Sequence, residues 1–239
     1  MDLGKSVNNL LQRLTGRRLM RQPARSASAR SAALNKFEVF AAVAQLRRRD
    51  LENVDSLQAI DLRLAELKIF SQNGEDGIIA ELVRRLPVKD QWFVEFGVED
   101  GTECNTRWLA EGLGWSGLYF EPNAKNCAAL ALRWAGSATV SVVEEAVTPE
   151  LVGSLFEQHG VPHQFGVLSI DVDGQDYWIW KGLPAAYRPA VVVIECNTSY
   201  PSGVSRVERR GLPWRPDHSD SFGASLEALS ELGRCRGYS

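Results

Sequence analysis

Five clusters of acids and turn-forming residues follow apolar, β-rich runs in this 239-residue chain. The first is Glu95-Phe96-Gly97-Val98-Glu99-Asp100-Gly101-Thr102. Glycines at 97 and 101 let a backbone turn tightly and approach a ligand closely. Glu95, Glu99 and Asp100 would repel a dinucleotide pyrophosphate, and the GxGxxG spacing of dinucleotide sites is absent. A cationic ligand suits such a loop better. S-adenosylmethionine, with a sulfonium and an ammonium, has that charge.

The second cluster is Tyr119-Phe120-Glu121-Pro122-Asn123. An acid after a strand can accept hydrogen bonds from both ribose hydroxyls of a nucleotide; it can also simply cap the next helix. The third, Glu144-Glu145-Ala146-Val147, is either a place for an adenine or a solvated acidic turn. The fourth, Ser169-Ile170-Asp171-Val172-Asp173-Gly174-Gln175-Asp176, crowds three carboxylates that need cations, protons or hydrogen-bond donors to tolerate one another. The fifth, Glu195-Cys196-Asn197, adds an acid and an amide. If adjacent strand ends gather Asp171, Asp173, Glu195 and Asn197, an all-oxygen set results that favours Mg²⁺, Mn²⁺ or Ca²⁺ over zinc. The same acids could instead bind a cofactor ammonium or cap a helix.

These clusters need a frame. β-rich runs at Trp92–Phe96, Gly117–Phe120, Thr139–Val143, Phe165–Ile170 and Ala190–Ile194 alternate with helical stretches near 75–86, 102–112, 123–134, 149–159, 175–182 and 221–233. Thr148-Pro149 supplies a helix start, an N-cap followed by proline at the first helical position. Strands alternating with helices of this length form parallel crossover units in a doubly wound α/β sheet. Ligands of such sheets sit at the carboxyl ends of the strands, where the strand order reverses. All five clusters fall there.

The rest of the chain bounds the setting. Residues 1–50 hold 11 Lys and Arg against 3 Asp and Glu, while the whole chain is net −3. Leu3, Val7, Leu10, Leu11 and Leu14 recur at helical spacing beside Arg13, Arg17, Arg18 and Arg21. That arm suits an anionic lipid surface, or a helix packed on a partner. No aromatics interleave with its arginines, which argues against nucleic acid. Residues 22–33 read as a linker. The division expected is an arm and linker over 1–33, a helical appendage over 34–68, and the α/β domain over 69–239. Four dispersed cysteines without CxxC, no apolar run of spanning length and no secretory signal predict a reduced, cytoplasmic protein, with peripheral membrane contact through residues 1–22.

With the motifs in view, the chain resembles the FkbM-type branch of class I S-adenosylmethionine-dependent methyltransferases over about residues 68–230. The resemblance is carried by Phe93–Gly101, YFEPN at 119–123, EEAV at 144–147, LSIDVDG at 168–174 and Val191–Glu195. Ser71-Gln72-Asn73-Gly74-Glu75-Asp76-Gly77 is similar to the SQNGEDG element of one subgroup. It implies a Rossmann-like methyltransferase sheet, S-adenosylmethionine as donor, and a sugar, glycan or related hydroxyl as acceptor. By motif, Glu95, Gly97 and Gly101 would line the methionine part, Glu121 the ribose, and Glu145 or Ala146 the adenine. Asp171 would lie near the sulfonium. Ser71, Gln72 and Asn73 would close over the cofactor, unless Ser71 or Asn73 caps a helix. Asp171 or Asp173 would act as base, directly or through a bound Mg²⁺.

His159 and His163 are expected to be peripheral, and His218 could reach an acceptor. Residues 196–220 are long enough for a lid, with Arg209, Arg210, Trp214 and Arg215 suited to a sugar or phosphorylated acceptor. The family's terminal antiparallel strand pair is missing, so the fifth strand should be an edge, covered by the N-terminal helices or a second subunit of a homodimer. Two alternatives stand beside the O-methyltransferase: a non-catalytic scaffold of the same fold, and a glycosyltransferase using Asp171-Val172-Asp173 as a DxD motif.

Overall fold

The computed structural model describes residues 61–211 and 222–239. The basic arm, the linker, most of the helical appendage, and the loop residues Trp214, Arg215 and His218 lie outside them. The described chain opens with a 3₁₀ turn, Leu62–Ala65. There follow α1 (Glu75–Arg85), β1 (Asp90–Phe96), α2 (Arg107–Glu111), β2 (Ser116–Phe120), α3 (Ala124–Arg133) and β3 (Val140–Val143). Then come α4 (Val152–Gln158), β4 (Phe165–Ile170), α5 (Asp176–Gly182), β5 (Val191–Ile194) and α6 (Leu226–Cys235).

The five strands pair in parallel in the order β3-β2-β1-β4-β5. This is a Rossmann-like α/β sheet, as the alternating pattern predicts. Its central strands are near-continuous apolar runs because both faces are covered. Side chains alternate between faces. Phe93, Tyr119 and Val167 meet Ile79 of α1, Trp108 and Leu109 of α2, and Leu130 of α3. Val94, Phe96, Leu118, Phe120, Leu168 and Ile170 meet Phe156 of α4, Ile179 and Trp180 of α5, and Leu229 and Leu232 of α6. Each fully buried side chain of this kind contributes about 1.5–3 kcal/mol. The first three helices thus cover one face and the last three the other, so winding reverses between β1 and β4.

Local signals set several boundaries. Asn123 caps α3, its Oδ1 accepting from the N–H groups of Lys125 and Asn126 at 3.0 and 3.1 Å. Thr148 Oγ1 accepts from Leu151 N–H at 3.3 Å, so the Thr-Pro start operates one turn ahead of α4. Two helices start about five residues later than the pattern predicts. Residues 102–106 do not join α2, because their N–H groups are taken elsewhere: Thr102 by Asp100, Cys104 by Phe70 O, and Asn105 and Thr106 by Glu95. Likewise α6 starts at Leu226 rather than near 221, since residues 223–225 run antiparallel to 206–208. The bridge Val207–Ala224 and the bonds Glu208 N–H to Gly223 O (2.7 Å) and Ser225 N–H to Arg206 O (2.9 Å) hold that pair.

Among the described residues no strand lies beyond β5, so the sheet ends there. Tyr238 Oη donates to Pro189 O at 2.8 Å and its ring packs on Trp180, which seals the C-terminal segment against the α5 face. No helix of the described residues is long and apolar enough to cross a membrane.

Candidate functional site

The carboxyl ends of β1, β2, β4 and β5 open onto a cleft of about 660 Å³ at the reversal point. Eight carboxylates line it: Glu95, Glu99, Glu103, Glu121, Glu145, Asp171, Asp173 and Glu195. Among the described residues its lining includes no Lys, Arg or His. Gln72, Gly97, Asn105, Ala146, Val147 and Ile179 complete much of the wall. The cleft is therefore an electronegative concavity with small apolar stretches, and it concentrates cations.

The turns after β1 and β4 approach closely where β1 leaves the sheet. Gly97 has φ +71°, and a Cβ placed there would lie 1.5 Å from the carbonyl oxygen of Asp171. The two strand-end turns pass backbone to backbone, which only glycine permits. Two non-glycine residues, Glu99 (φ 48°) and Asp173 (φ 55°), also hold left-handed conformations in these turns. Such strain costs of order 1–3 kcal/mol per residue and gathers at functional sites.

Glu95 and Glu121 bind the turns together. Glu95 is buried on β1, and it accepts hydrogen bonds from Asn105 N–H (2.8 Å), Thr106 N–H (3.1 Å), Thr106 Oγ1 (2.6 Å) and Ser169 Oγ (3.3 Å). Burial pushes its pKa up to about 6 against those donors. Glu121 accepts from Glu99 N–H at 2.9 Å and Asn123 N–H at 2.8 Å, so it ties the glycine loop to the end of β2. Both acids line the cleft while fixing its backbone.

Beyond β4 and β5, carboxylate oxygens of Asp171, Asp176 and Glu195 lie within 4.8 Å of one another. Asp171 keeps an exposed edge and Glu195 is half-buried; desolvation in the cleft and the neighbouring acids push Asp171 to about 6 and Glu195 to about 7. Asp176 is buried; its Oδ1 accepts from Val172 N–H (2.8 Å) and its Oδ2 from Gly174 N–H (2.9 Å). The oxygen cluster therefore differs from the expected metal set of Asp171, Asp173, Glu195 and Asn197. Asp173 lines the cleft but points outside the cluster, because the left-handed turn at 173 carries its side chain toward solvent while Asp176 folds back under the turn. Asn197 is not part of the wall. Its Nδ2 donates to Phe222 O and its Oδ1 accepts from Ser199 N–H, both at 2.8 Å, which braces the 222–225 segment.

Of the other expected residues, Gln72, Glu145 and Ala146 line the cleft, while Ser71, Asn73 and Gly101 do not. Ser71 is buried in a bonding pair with Asp76, Asn73 N–H donates to Glu75 Oε2 at 2.8 Å, and Gly101 turns toward Leu130 of α3. His159 packs edge-on against Phe120 and His163 against Tyr187; neither lines the cleft. Trp178 Nε1 donates to Glu208 O at 2.8 Å and Gln175 Oε1 accepts from Gly211 N–H at 2.8 Å, so α5 holds the 206–211 segment beside the acidic turn. Sequence reading passed over Asp76, Asp176 and Gln175. Asp176 carried a signal, being the third acid of its cluster; the role of Asp76 was hidden in contacts between separate turns.

No family profile and no curated protein matches the chain, so the FkbM resemblance rests on the motifs quoted above. Among solved structures, the chain is similar to the SAH-bound methyltransferase PaMTH1 of Podospora anserina, at 13% identity over 91% of this chain and 86% of that one, with a TM-score of 0.39. The reading of the site rests on its own geometry.

Proposed function

We propose that the cleft binds S-adenosylmethionine and that the chain is an O-methyltransferase acting on a hydroxyl of a sugar, glycan or related metabolite. One observation carries this reading: among the described residues, eight carboxylates and no cationic side chain line a cleft at the strand-order reversal of a parallel sheet. A dinucleotide or a nucleotide sugar would bring a pyrophosphate into that field, whereas an adenosyl sulfonium brings positive charge. The DxD reading of Asp171 and Asp173 is disfavoured on the same ground.

The residues fit the ligand. Gly97 leaves backbone, not side chain, where the turns after β1 and β4 meet at the cleft wall. Glu121 would take the ribose hydroxyls, with Glu145, Ala146, Val147 and Phe120 around the adenine. Glu95, Gln72 and Asp171 would surround the methionine part. When bound, the cofactor supplies an electrophilic methyl group on sulfur. The chain's own task is to align an acceptor oxygen and to take its proton. Asp171 and Glu195 suit that task, since neighbouring acids and burial bring their proton affinity near neutrality. Asp173 offers a further carboxylate on the exposed side of the cleft. Asp176 is less available, being buried and absent from the cleft lining. A Mg²⁺ held by the Asp171 group is the alternative route to an acidified hydroxyl. Membrane contact through residues 1–22 and a partner over the β5 edge belong to the same proposal.

Calorimetric titration with S-adenosylmethionine and S-adenosylhomocysteine, with and without Mg²⁺, tests it. Saturable micromolar binding supports the cofactor assignment. A folded sample that binds neither compound would sink it. The second reading is a non-catalytic scaffold of the same fold; binding without turnover on any hydroxyl acceptor would favour it.

A further inference from the structure

We infer that Asp76 is a positioning residue for the cleft, holding residues 69–72 against the glycine loop so that Gln72 forms its wall. The inference rests on reading the cleft as an adenosyl-sulfonium site and adds a residue that shapes it from outside. Asp76 sits in the first turn of α1, is 1% exposed and does not line the cleft. Its Oδ2 accepts the backbone N–H groups of Ile69, Phe70 and Ser71, each at 2.8 Å, and Ser71 Oγ at 2.7 Å. Ser71 Oγ accepts the N–H of Asp76 in return, at 3.1 Å. Successive N–H groups converging on one anionic oxygen form a nest, and a nest fixes the dihedrals of the residues that supply it.

Two parts of the cleft follow from that nest. Phe70, held at its N–H, accepts the N–H of Cys104 at 3.1 Å through its carbonyl. Its ring lies 4.0 Å from the Arg107 guanidinium, which also donates to Gly101 O at 3.1 Å. The next two N–H groups, of Asn105 and Thr106, go to Glu95. Two buried carboxylates, Asp76 and Glu95, thus hold neighbouring stretches of backbone, residues 69–71 and 105–106. Gln72 then follows Ser71 directly and is exposed in the cleft. Capping α1 requires only the Ser71 hydroxyl on Asp76 N–H. It does not require the N–H groups of residues 69 and 70, five or more residues ahead of the helix, to converge on the same oxygen.

The test pairs ligand affinity with a ligand-free readout. S-adenosylhomocysteine is titrated into wild type, Asp76→Ala, Asp76→Asn, Gln72→Ala and the double variant Asp76→Ala/Gln72→Ala. In parallel, thiol labelling of Cys104, buried on the cleft wall, is followed by mass spectrometry against the exposed Cys235. Asp76→Ala should weaken binding about tenfold and speed Cys104 labelling by a similar factor, as expected for losing several charge-assisted bonds. Asp76→Asn keeps an acceptor oxygen and should stay within about threefold of wild type. Adding Gln72→Ala to Asp76→Ala should cost less than about half of what Gln72→Ala costs alone, because the wall is already displaced. Wild-type affinity with unchanged Cys104 labelling in Asp76→Ala would overturn the inference. So would fully additive losses in the double variant, which denote general destabilisation. If wild type binds no S-adenosylhomocysteine, the cofactor reading falls, and Cys104 labelling alone still decides the positioning role. Should Asp76→Ala not fold, Ser71→Ala removes one donor of the nest and should shift both readouts about threefold.

Discussion

Gly97 and Asp171 meet backbone to backbone across the strand-order reversal, with space for no atom on the Gly97 Cα beyond hydrogen: a Cβ there would fall 1.5 Å from Asp171 O. The contact joins the turn after β1 to the turn after β4, and both residues line the cleft.

Gly97→Ala should therefore lower stability by roughly 2–5 kcal/mol, combining a left-handed backbone with forced separation of two strand ends. Gly160→Ala is the matched control. Its φ is +64°, and a Cβ there meets nothing within 4 Å, so only the backbone cost of about 1 kcal/mol applies. Denaturant unfolding of both variants checks the difference. Equal losses would mean that the Gly97 contact with Asp171 has no special weight.

Glu121→Ala should weaken S-adenosylhomocysteine binding by at least about tenfold, removing a charged acceptor and freeing the turn that Glu99 N–H ties down. Glu121→Gln keeps one acceptor oxygen and should lose less. Calorimetric affinities that do not change in Glu121→Ala would remove the ribose assignment.

Stability should fall as pH rises through about 6 to 7. Glu195 at about 7, Asp171 at about 6 and Glu95 at about 6 hold protons more tightly folded than unfolded. The folded state therefore binds more protons between the unfolded carboxylate range near pH 4 and these raised values. The stability they contribute is full below pH 4 and is lost as pH passes through the folded values. Glu195→Gln should flatten that slope and stabilise the protein at pH 8 by about 1 kcal/mol, after allowance for solvent screening of a half-buried group. Unfolding free energies measured at pH 5.5 and pH 8 decide this; a variant with the wild-type slope counts against it.

Asn197→Ala should destabilise by about 1–3 kcal/mol, because it strips partners from Phe222 O and Ser199 N–H. Its effect should not depend on Mg²⁺. A stability loss that appears only with Mg²⁺ present would restore Asn197 as a metal ligand.

What the sequence determined by itself was the frame and the chemical character of the cleft. Five apolar runs with glycine- and acid-rich ends dictate a parallel α/β sheet, because strand burial and turn formation depend on neighbouring residues. Glu95, Gly97, Glu121, Glu145, Ala146, Asp171, Asp173 and Glu195 were legible as cleft residues because each lies at or within three residues of a strand's carboxyl end. The tertiary structure alone decided which of them are committed to backbone. Glu95 meets Ser169 across 74 positions and Glu121 meets Glu99 across 22. No local pattern encodes such pairs. The same pairings shortened α2, since N–H groups taken by Glu95 and Phe70 cannot enter a helix. They also set Asp176, rather than Asp173, beside Asp171 and Glu195 in the carboxylate cluster, because Asp176 folds beneath the left-handed turn at Asp173, while Asn197 is drawn to Phe222 O. Proton affinity near neutrality at Asp171 and Glu195 belongs to the tertiary structure as well: it arises from burial and from like charges that only the adjacent ends of β4 and β5 bring together.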